Sequence, residues 1–375
     1  MPAVSEQEPR MKSLGADGEQ FKRDPALPTR CIKTYPQLGC VVCDGKGEPL
    51  YSGLSDRLFG APGEWSLRRC ANSDCGLIWL DPAPIKADIA LAYQSYYTHN
   101  EAENVDWFSR SYRRVKRKTH RMHIRAKFGQ MGQRRRASAI LTWLMLGPYP
   151  PSRAEAEFPM RYLPASQTGR VLEIGFGQGI TLGHLRNLGW DAHGLEIDPV
   201  AVENARRKGL KVECGSLVDH TYPADHYDAV ISNHVIEHVY DPRDLFSESR
   251  RILRPGGRFI AATPNANCLS RRIFGSAWRG LEPPRHLQIF TATALRALAR
   301  LSGFKSSHTI ASVRGAAGAW DLSRRLRHEP AHPGEQTLAH VARTSLQAQA
   351  AEIAQFLLAP MLPELTEEVI LVATK

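Results

Sequence analysis

The chain has 375 residues, 42% apolar and 23% charged, enough for a buried core in one large domain or in a large and a small one. No apolar run approaches the roughly 18 residues that span a bilayer; the longest, 140–146 and 356–362, are interrupted by Thr142 and Pro360. The formal charge of +11 is local, because 110–136 holds nine Arg, three Lys and no acid (+12), which leaves the rest of the chain at −1 and excludes a uniformly basic surface.

From the N-terminus, 1–30 is polar, rich in Pro and Gly and without periodicity, the pattern of a disordered tail. Glu6, Glu8 and Arg10 stand where an export signal needs its apolar stretch, so a cytoplasmic location is expected. Residues 31–80 form a small module of Gly and Pro punctuation with short strand-like pieces such as 76–80. A helix is expected after Asp81 and Pro84, carrying Ile85, Ile89, Leu91 and Ala92 towards Tyr96 and Tyr97, a pair placed to lid a pocket or simply to pack. The basic stretch reads as helical, and Gly147-Pro148-Tyr149-Pro150-Pro151 breaks the chain, so 81–150 is a helical, basic linker region.

From Arg170 onward strands and helices alternate. Strands are predicted at 171–174, 192–197, 211–214, 227–232, 258–262, 304–310 and 368–374, with helices at 180–188, after Asp198-Pro199, from Asp241-Pro242 to Leu253, and at 291–301. Asp followed by Pro is an N-cap and first-turn pair. The pattern implies a doubly wound α/β sheet of seven strands, mostly parallel, with a helical insertion at about 312–366 before the last strand.

Cys40-x₂-Cys43 and Cys70-x₄-Cys75 are two pairs separated by 26 residues. Such pairs can give four thiolates to a structural Zn²⁺ in a closed tetrahedral site, the staple of a module without a core. Cys70 is in the looser pair; Cys31, Cys214 and Cys268 are scattered and read as packing residues. A disulfide framework is not expected in a reducing compartment.

The segment Val171-Leu-Glu173-Ile-Gly175-Phe-Gly177-Gln-Gly179 runs an apolar strand into a glycine turn and a helix. Glycines let backbone pass close beneath a ligand, and the helix start offers free amides. Glu196, seventeen residues after Gly179 and followed by Ile197, can accept hydrogen bonds from both ribose hydroxyls of an adenosine. A nicotinamide site shares these features. Three details favour S-adenosylmethionine: Ile180 stands where a dinucleotide fingerprint has its third glycine, Glu173 would repel a pyrophosphate but suit a cationic methionine end, and 368–374 closes the sheet as an antiparallel strand would.

Together LEIGFGQG (172–179), GLEIDPVAVENAR (194–206), DAVISNHVIEHV (228–239), RILRPGGRF (251–259) and the terminal EEVILVATK resemble the class I S-adenosylmethionine-dependent methyltransferases, over 169–311 and the last strand. The resemblance implies that 151–375 is the methyltransferase domain. It also implies that Glu173, Gly175, Gly177, Gly179 and Glu196 hold the cofactor, that Ser216 and Leu217 meet the adenine, and that Asn233 faces the methionine portion. Position 216 departs from the acid common in the family.

Methyl transfer to a hydroxyl or carbon acid needs a base, and histidine suits it. Glu237 and His238, adjacent after strand four, and His286 are the catalytic candidates; His234 reads as structural, and a cap for Glu237-His238 is the plainer alternative. Pro283-Pro284-x-His286-Leu287-x-x-Phe290 and the Glu-His pair resemble ubiquinone-biosynthesis O-methyltransferases and sugar methyltransferases. The region around Cys75-Gly-Leu-Ile-Trp-Leu-Asp-Pro-Ala-Pro84 resembles the N-terminal zinc ribbon of bacterial sugar methyltransferases, whose acceptors are sugar nucleotides or glycan intermediates. The expected function is therefore methylation of an oxygen or carbon on a small-molecule or glycan/sugar-nucleotide acceptor. Methylation of RNA or protein, or noncatalytic nucleic-acid binding by the ribbon and basic helix, are the alternatives, although nucleic acid is not the expected partner. The basic stretch also admits a solvated helix face, a clamp for an anionic substrate or peripheral contact with an anionic membrane. It holds only Tyr112 and Phe128 for stacking on single strands.

Overall fold

The computed structural model describes residues 31–93, 107–128, 150–163, 169–328 and 344–375. The tail 1–30, Tyr96 and Tyr97, and the basic residues beyond Phe128 lie outside them. The first strands are short: β1 (Thr34–Tyr35), β2 (Gly47–Leu54), β3 (Trp65–Cys70), β4 (Ile78–Leu80) and β5 (Ala83–Pro84). β2, β3 and β4 pair antiparallel in that order, and β1 pairs with β5. The helix expected after Pro84 is a 3₁₀ turn, Ile89–Tyr93. The Ile85 amide is spent on the Lys33 carbonyl (2.8 Å) and Asp88 accepts from the Lys33 amide (3.0 Å), so the turn at 86–88 is tied to the residue before β1.

Next come α1 (Trp107–Phe128) and α2 (Pro150–Glu157). Pro150 and Pro151 lie in α2, whose first turn needs no amide from them, and Gly147, Pro148 and Tyr149 of the expected break lie outside the described residues. The alternating region is β6 (Arg170–Ile174), α3 (Ile180–Asn187), β7 (Asp191–Glu196), α4 (Pro199–Arg207), β8 (Lys211–Cys214), β9 (Tyr227–Asn233), α5 (Pro242–Ile252), β10 (Leu253–Pro264) and α6 (Leu269–Phe274). It continues with β11 (Gln288–Ile289), α7 (Ala292–Leu301), β12 (Ser306–Ser312), α8 (Ala316–His328), α9 (Leu346–Leu358) and β13 (Glu368–Thr374). Asp198 and Asp241 cap α4 and α5 as expected, accepting from Val200 N and from Arg243 N and Asp244 N. Pro255-Gly256-Gly257, just before the strand expected at 258–262, lies in a register shift within β10.

The large sheet has the order β12-β13-β10-β9-β6-β7-β8, with β13 antiparallel to both neighbours and β10, β9, β6, β7 and β8 mutually parallel. It is the doubly wound, mostly parallel seven-stranded sheet that the sequence predicts. Successive residues of β6 and β9 feed opposite faces. Leu172 and Val230 join Phe246, Phe259, Leu295 and Leu298 on one side. Val171 and Ile231 join Leu182, Leu185, Trp190 and Val202 on the other.

The cysteine-bearing segment is not closed on itself. Its sheet takes a fourth strand, β11, beside β4, and Cys40, Val42, Leu77 and Trp79 belong to the same core as Phe246 and Phe290. Its other face packs Trp65, Leu67 and Ile78 on Phe274, Trp278 and Leu287. A buried strut crosses this junction. The Arg285 guanidinium, wholly buried, makes two 2.9 Å bonds to Asp56 and others to Glu282 Oε1 (3.1 Å) and the Ala92 carbonyl (2.9 Å).

Candidate functional site

β6 ends at the middle of the sheet's carboxyl edge, where ligands bind in folds of this kind. The turn after it has positive φ at Gly175, Gly177 and Gly179. A Cβ on Gly175 would lie 2.3 Å from Val235 Cγ2, so only glycine fits beneath the β9 loop. At Gly177 nothing lies within 4 Å, which leaves open space above the turn. α3 then begins without a side-chain cap from Gly179, and the Leu182 amide of its first turn is taken by Glu173.

Two carboxylates flank the turn. Glu196 accepts from Gly177 N (2.9 Å), Ile197 N (2.9 Å) and Asp198 N (3.2 Å), which fixes its orientation at the end of β7. Glu173 is buried on β6, and its Oε2 meets no hydrogen-bond partner. Burial, then the neighbouring Glu196 charge, push its pKa up to about 8. A buried acid held by Thr181 and the Leu182 amide, with one oxygen left free beside an open glycine turn, is what a cationic group would satisfy. Ile197 is 68% exposed and Leu217 buried, two apolar surfaces at the ends of β7 and β8. Ser216 donates its hydroxyl to Asp219, which sets a carboxylate beside position 216. Nothing in the spacing pointed to Asp219.

Asn233 ends β9, and its Oδ1 accepts from Arg314 Nη2 (2.7 Å). Arg314 also binds Glu368 and lies over the Phe158 ring at 3.7 Å. His234 adopts φ +54° between two acids, Glu237 Oε1 (3.2 Å) and Glu368 Oε1 (2.9 Å). Burial by itself would lower its pKa, but the two carboxylates outweigh that and hold it near 9. Glu237 is fully buried; the burial that would raise its pKa is offset chiefly by His234, which brings it to about 2, and its Oε2 accepts from Thr263 Oγ1 (3.0 Å). Glu237 therefore serves His234 and Thr263, although its carboxylate, His238 and His286 still place ligand atoms within 4.8 Å of one another, a set able to hold a metal. The sequence reading did not find Arg314 and Glu368, which chain distance separates from β9.

His238 and His286 meet edge to face, ring centroids 4.8 Å apart. His238 Nδ1 lies 3.0 Å from the Arg285 carbonyl and 3.2 Å from the Tyr93 hydroxyl. A carbonyl only accepts, so Nδ1 carries the proton and Nε2 keeps its lone pair. Among the described residues Nε2 meets no partner. Tyr93 therefore stands beside His238, while Tyr96 and Tyr97, expected to lid a pocket or to pack, lie outside the described residues. His286 is buried, donates Nδ1–H to the Gly280 carbonyl (2.8 Å), and burial lowers its pKa to about 4.

Cys40, Cys43, Cys70 and Cys75 bring their Sγ atoms within 4.8 Å of one another. Cys40 and Cys75 are 3.6 Å apart, Cys43 and Cys70 3.4 Å. Sulfurs on a tetrahedral zinc at about 2.3 Å would stand about 3.8 Å apart. Gly45 lies in the same pocket, where a Cβ would come 3.2 Å from Cys43 Sγ and 3.3 Å from Cys70 Sγ. A hydrogen bond from Cys75 lowers the Cys40 pKa to about 5, whereas burial raises Cys70 to about 11. Arg243 of α5 clamps this knuckle through Val41 O (2.7 Å), Val42 O (3.2 Å) and Asp44 (3.0 Å).

Residues 149–309 match a family model described as a methyltransferase domain. The chain is 32% identical over 149 residues to a probable S-adenosylmethionine-dependent methyltransferase of Mycolicibacterium smegmatis, covering 39% of this chain and 56% of that one. It is 31% identical over 117 residues to a ubiquinone biosynthesis O-methyltransferase of Cereibacter sphaeroides, covering 29% and 47%. The chain thus spans about half the length of these curated relatives. A solved S-adenosylmethionine-dependent methyltransferase from Archaeoglobus fulgidus superposes with a TM-score of 0.42 at 17% identity, over 62% of this chain and 99% of that one. Residues 149–309 are thus similar to methyltransferase domains, S-adenosylmethionine-dependent ones among them.

Proposed function

We propose that the chain transfers a methyl group from S-adenosylmethionine to an oxygen or carbon of a small-molecule or glycan/sugar-nucleotide acceptor. The observation that carries this reading is Glu173, a buried carboxyl with a free oxygen beside the open turn at Gly177. Glu173 would hold the cofactor's ammonium and Glu196 its ribose hydroxyls. Ile197, Ser216 and Leu217 would bound the adenine, and Asn233, held by Arg314, the methionine end. The cofactor supplies an electrophilic methyl on sulfur. His238 takes the acceptor's proton on Nε2, while the Arg285 carbonyl holds Nδ1–H and thereby the tautomer. Glu237 and His286 are positioning residues, since neither is open enough to touch an acceptor. The test is formation of S-adenosylhomocysteine with candidate hydroxylated acceptors. His238→Ala is expected to lower kcat by about 10²–10⁴-fold with cofactor affinity unchanged. Equal turnover by the variant would remove His238 from the mechanism.

The same reading fixes a pH dependence. Glu173 is neutral below about 8 in the free protein and must ionise to pair with an ammonium. Affinity for S-adenosylmethionine should therefore rise from about pH 5 to pH 8, by at most about tenfold per unit, with one proton released on binding. Titration in buffers of different ionisation enthalpy reads that proton, and Glu173→Gln should abolish it.

The four cysteines are proposed to hold a structural Zn²⁺, with no position left for a substrate. Metal analysis of the purified chain should find about one zinc, and Cys40→Ser should lower both zinc content and the melting temperature, by about 5–10 °C. Retention of full stability without metal would contradict it. No helix among the described residues is long and apolar enough to cross a membrane.

A further inference from the structure

A cavity of about 240 Å³ lies between 52–58 of the cysteine-bearing segment and 276–283 after α6, with Leu326 of α8 on its wall. Ser52, Ser55 and Ser276 line it together with Arg57 and Arg279. The two acids on its wall are already engaged. Asp56 takes the Arg285 guanidinium and the amides of Leu58, Phe59 and Ala61, and Glu282 takes Arg279 (2.6 Å) and Arg285. Arg57 is different: it is half-buried, donates to the Leu326 carbonyl, and meets no carboxylate among the described residues. Burial works against its charge. A cation taken partly out of water without a counter-ion costs free energy, which an anion entering the cavity would recover.

We propose that this cavity receives a phosphate group of the methyl acceptor. The proposal rests on the methyltransferase reading. Glu282, on the cavity wall, lies 3.9 Å from His286 Nε2, and His286 meets the ring of the proposed base His238. Three guanidiniums stand at the cavity or behind its acids, against two carboxylates. Three hydroxyls add further donors, more than the two oxygens of a carboxylate can use. A phosphate's three terminal oxygens match that set, and a guanidinium binds it through paired N–H bonds.

The experiment is calorimetric titration of the full chain with inorganic pyrophosphate, with sodium acetate as the carboxylate arm and S-adenosylmethionine as the separate control. Native protein is expected to bind pyrophosphate and not acetate. Arg57→Met should weaken that binding by about 10–100-fold, the loss of a charged hydrogen-bonding partner, and leave S-adenosylmethionine affinity unchanged. Ser276→Glu, at an exposed position on the rim, should do the same by repulsion and serves if Arg57→Met does not fold. Native protein that binds S-adenosylmethionine but not pyrophosphate would overturn the proposal, as would folded variants that bind pyrophosphate like native protein, or acetate binding as tight as pyrophosphate. Pyrophosphate binding lost in the variants, but with no S-adenosylmethionine binding by native protein, would instead overturn the methyltransferase reading and leave the cavity an anion site.

Discussion

Arg285→Met is expected to destabilise the chain by about 3–5 kcal/mol, measured by urea unfolding. The side chain is wholly inside the protein, and its three nitrogens meet Asp56, Glu282 and the Ala92 carbonyl. Methionine would fill most of the volume and supply none of those donors. Asp56 and Glu282 are themselves buried, so their charges would be left short of a counter-ion in a medium that solvates them poorly. The effect should reach the site as well, because the Arg285 carbonyl holds His238 Nδ1. Loosening the strut should lower kcat more than it changes cofactor affinity. A loss under about 1 kcal/mol would mean that the apolar contacts of Trp65, Leu67 and Trp278 carry the junction without it.

Glu196→Ala is expected to weaken S-adenosylmethionine binding by about 100-fold or more, since under the proposed reading it would remove two charge-assisted hydrogen bonds to ribose hydroxyls. The carboxylate is aimed before any ligand arrives, by the amides of Gly177, Ile197 and Asp198, so little ordering cost is left for binding. The alanine variant also frees the Gly177 amide, and a small fall in melting temperature should accompany the loss. Glu196→Gln separates the two effects, for it keeps an acceptor at the same place and loses the charge. Calorimetric titration of native protein and both variants would decide it: unchanged affinity in the alanine variant would mean that the cofactor's ribose lies elsewhere.

Much of the proposed cofactor cradle was visible in the chain because it is local. Val171 to Gly179 is a strand, a turn and a helix in one run, and Glu196 follows one helix later at the end of the next strand. Periodicity and two Asp-Pro caps place those elements within a residue or two. The cysteine pairs were legible for a similar reason, as Cys40 and Cys43 share one turn and Cys70 and Cys75 another. The histidines were only half legible. The sequence singled out Glu237 and His238 together, but the hydrogen bonds of the Glu237 carboxylate go to His234 and Thr263, which the sequence did not pair with it. His234, read as structural, stands with an open edge between two acids at the end of β9.

The sequence by itself determined the order of strands and helices, the glycine turn with its two acids, and a set of four cysteines. Each depends on short-range patterning, where side-chain period and backbone freedom act over a few residues. Only the tertiary structure decided that β11 completes the N-terminal sheet, that Arg285 reaches Asp56 across 229 positions, and that Tyr93 meets His238. It also decided that Arg57 lines a cavity without a carboxylate partner among the described residues. Such contacts join residues far apart in the chain, and which of them form depends on how the sheets and helices pack around a common core.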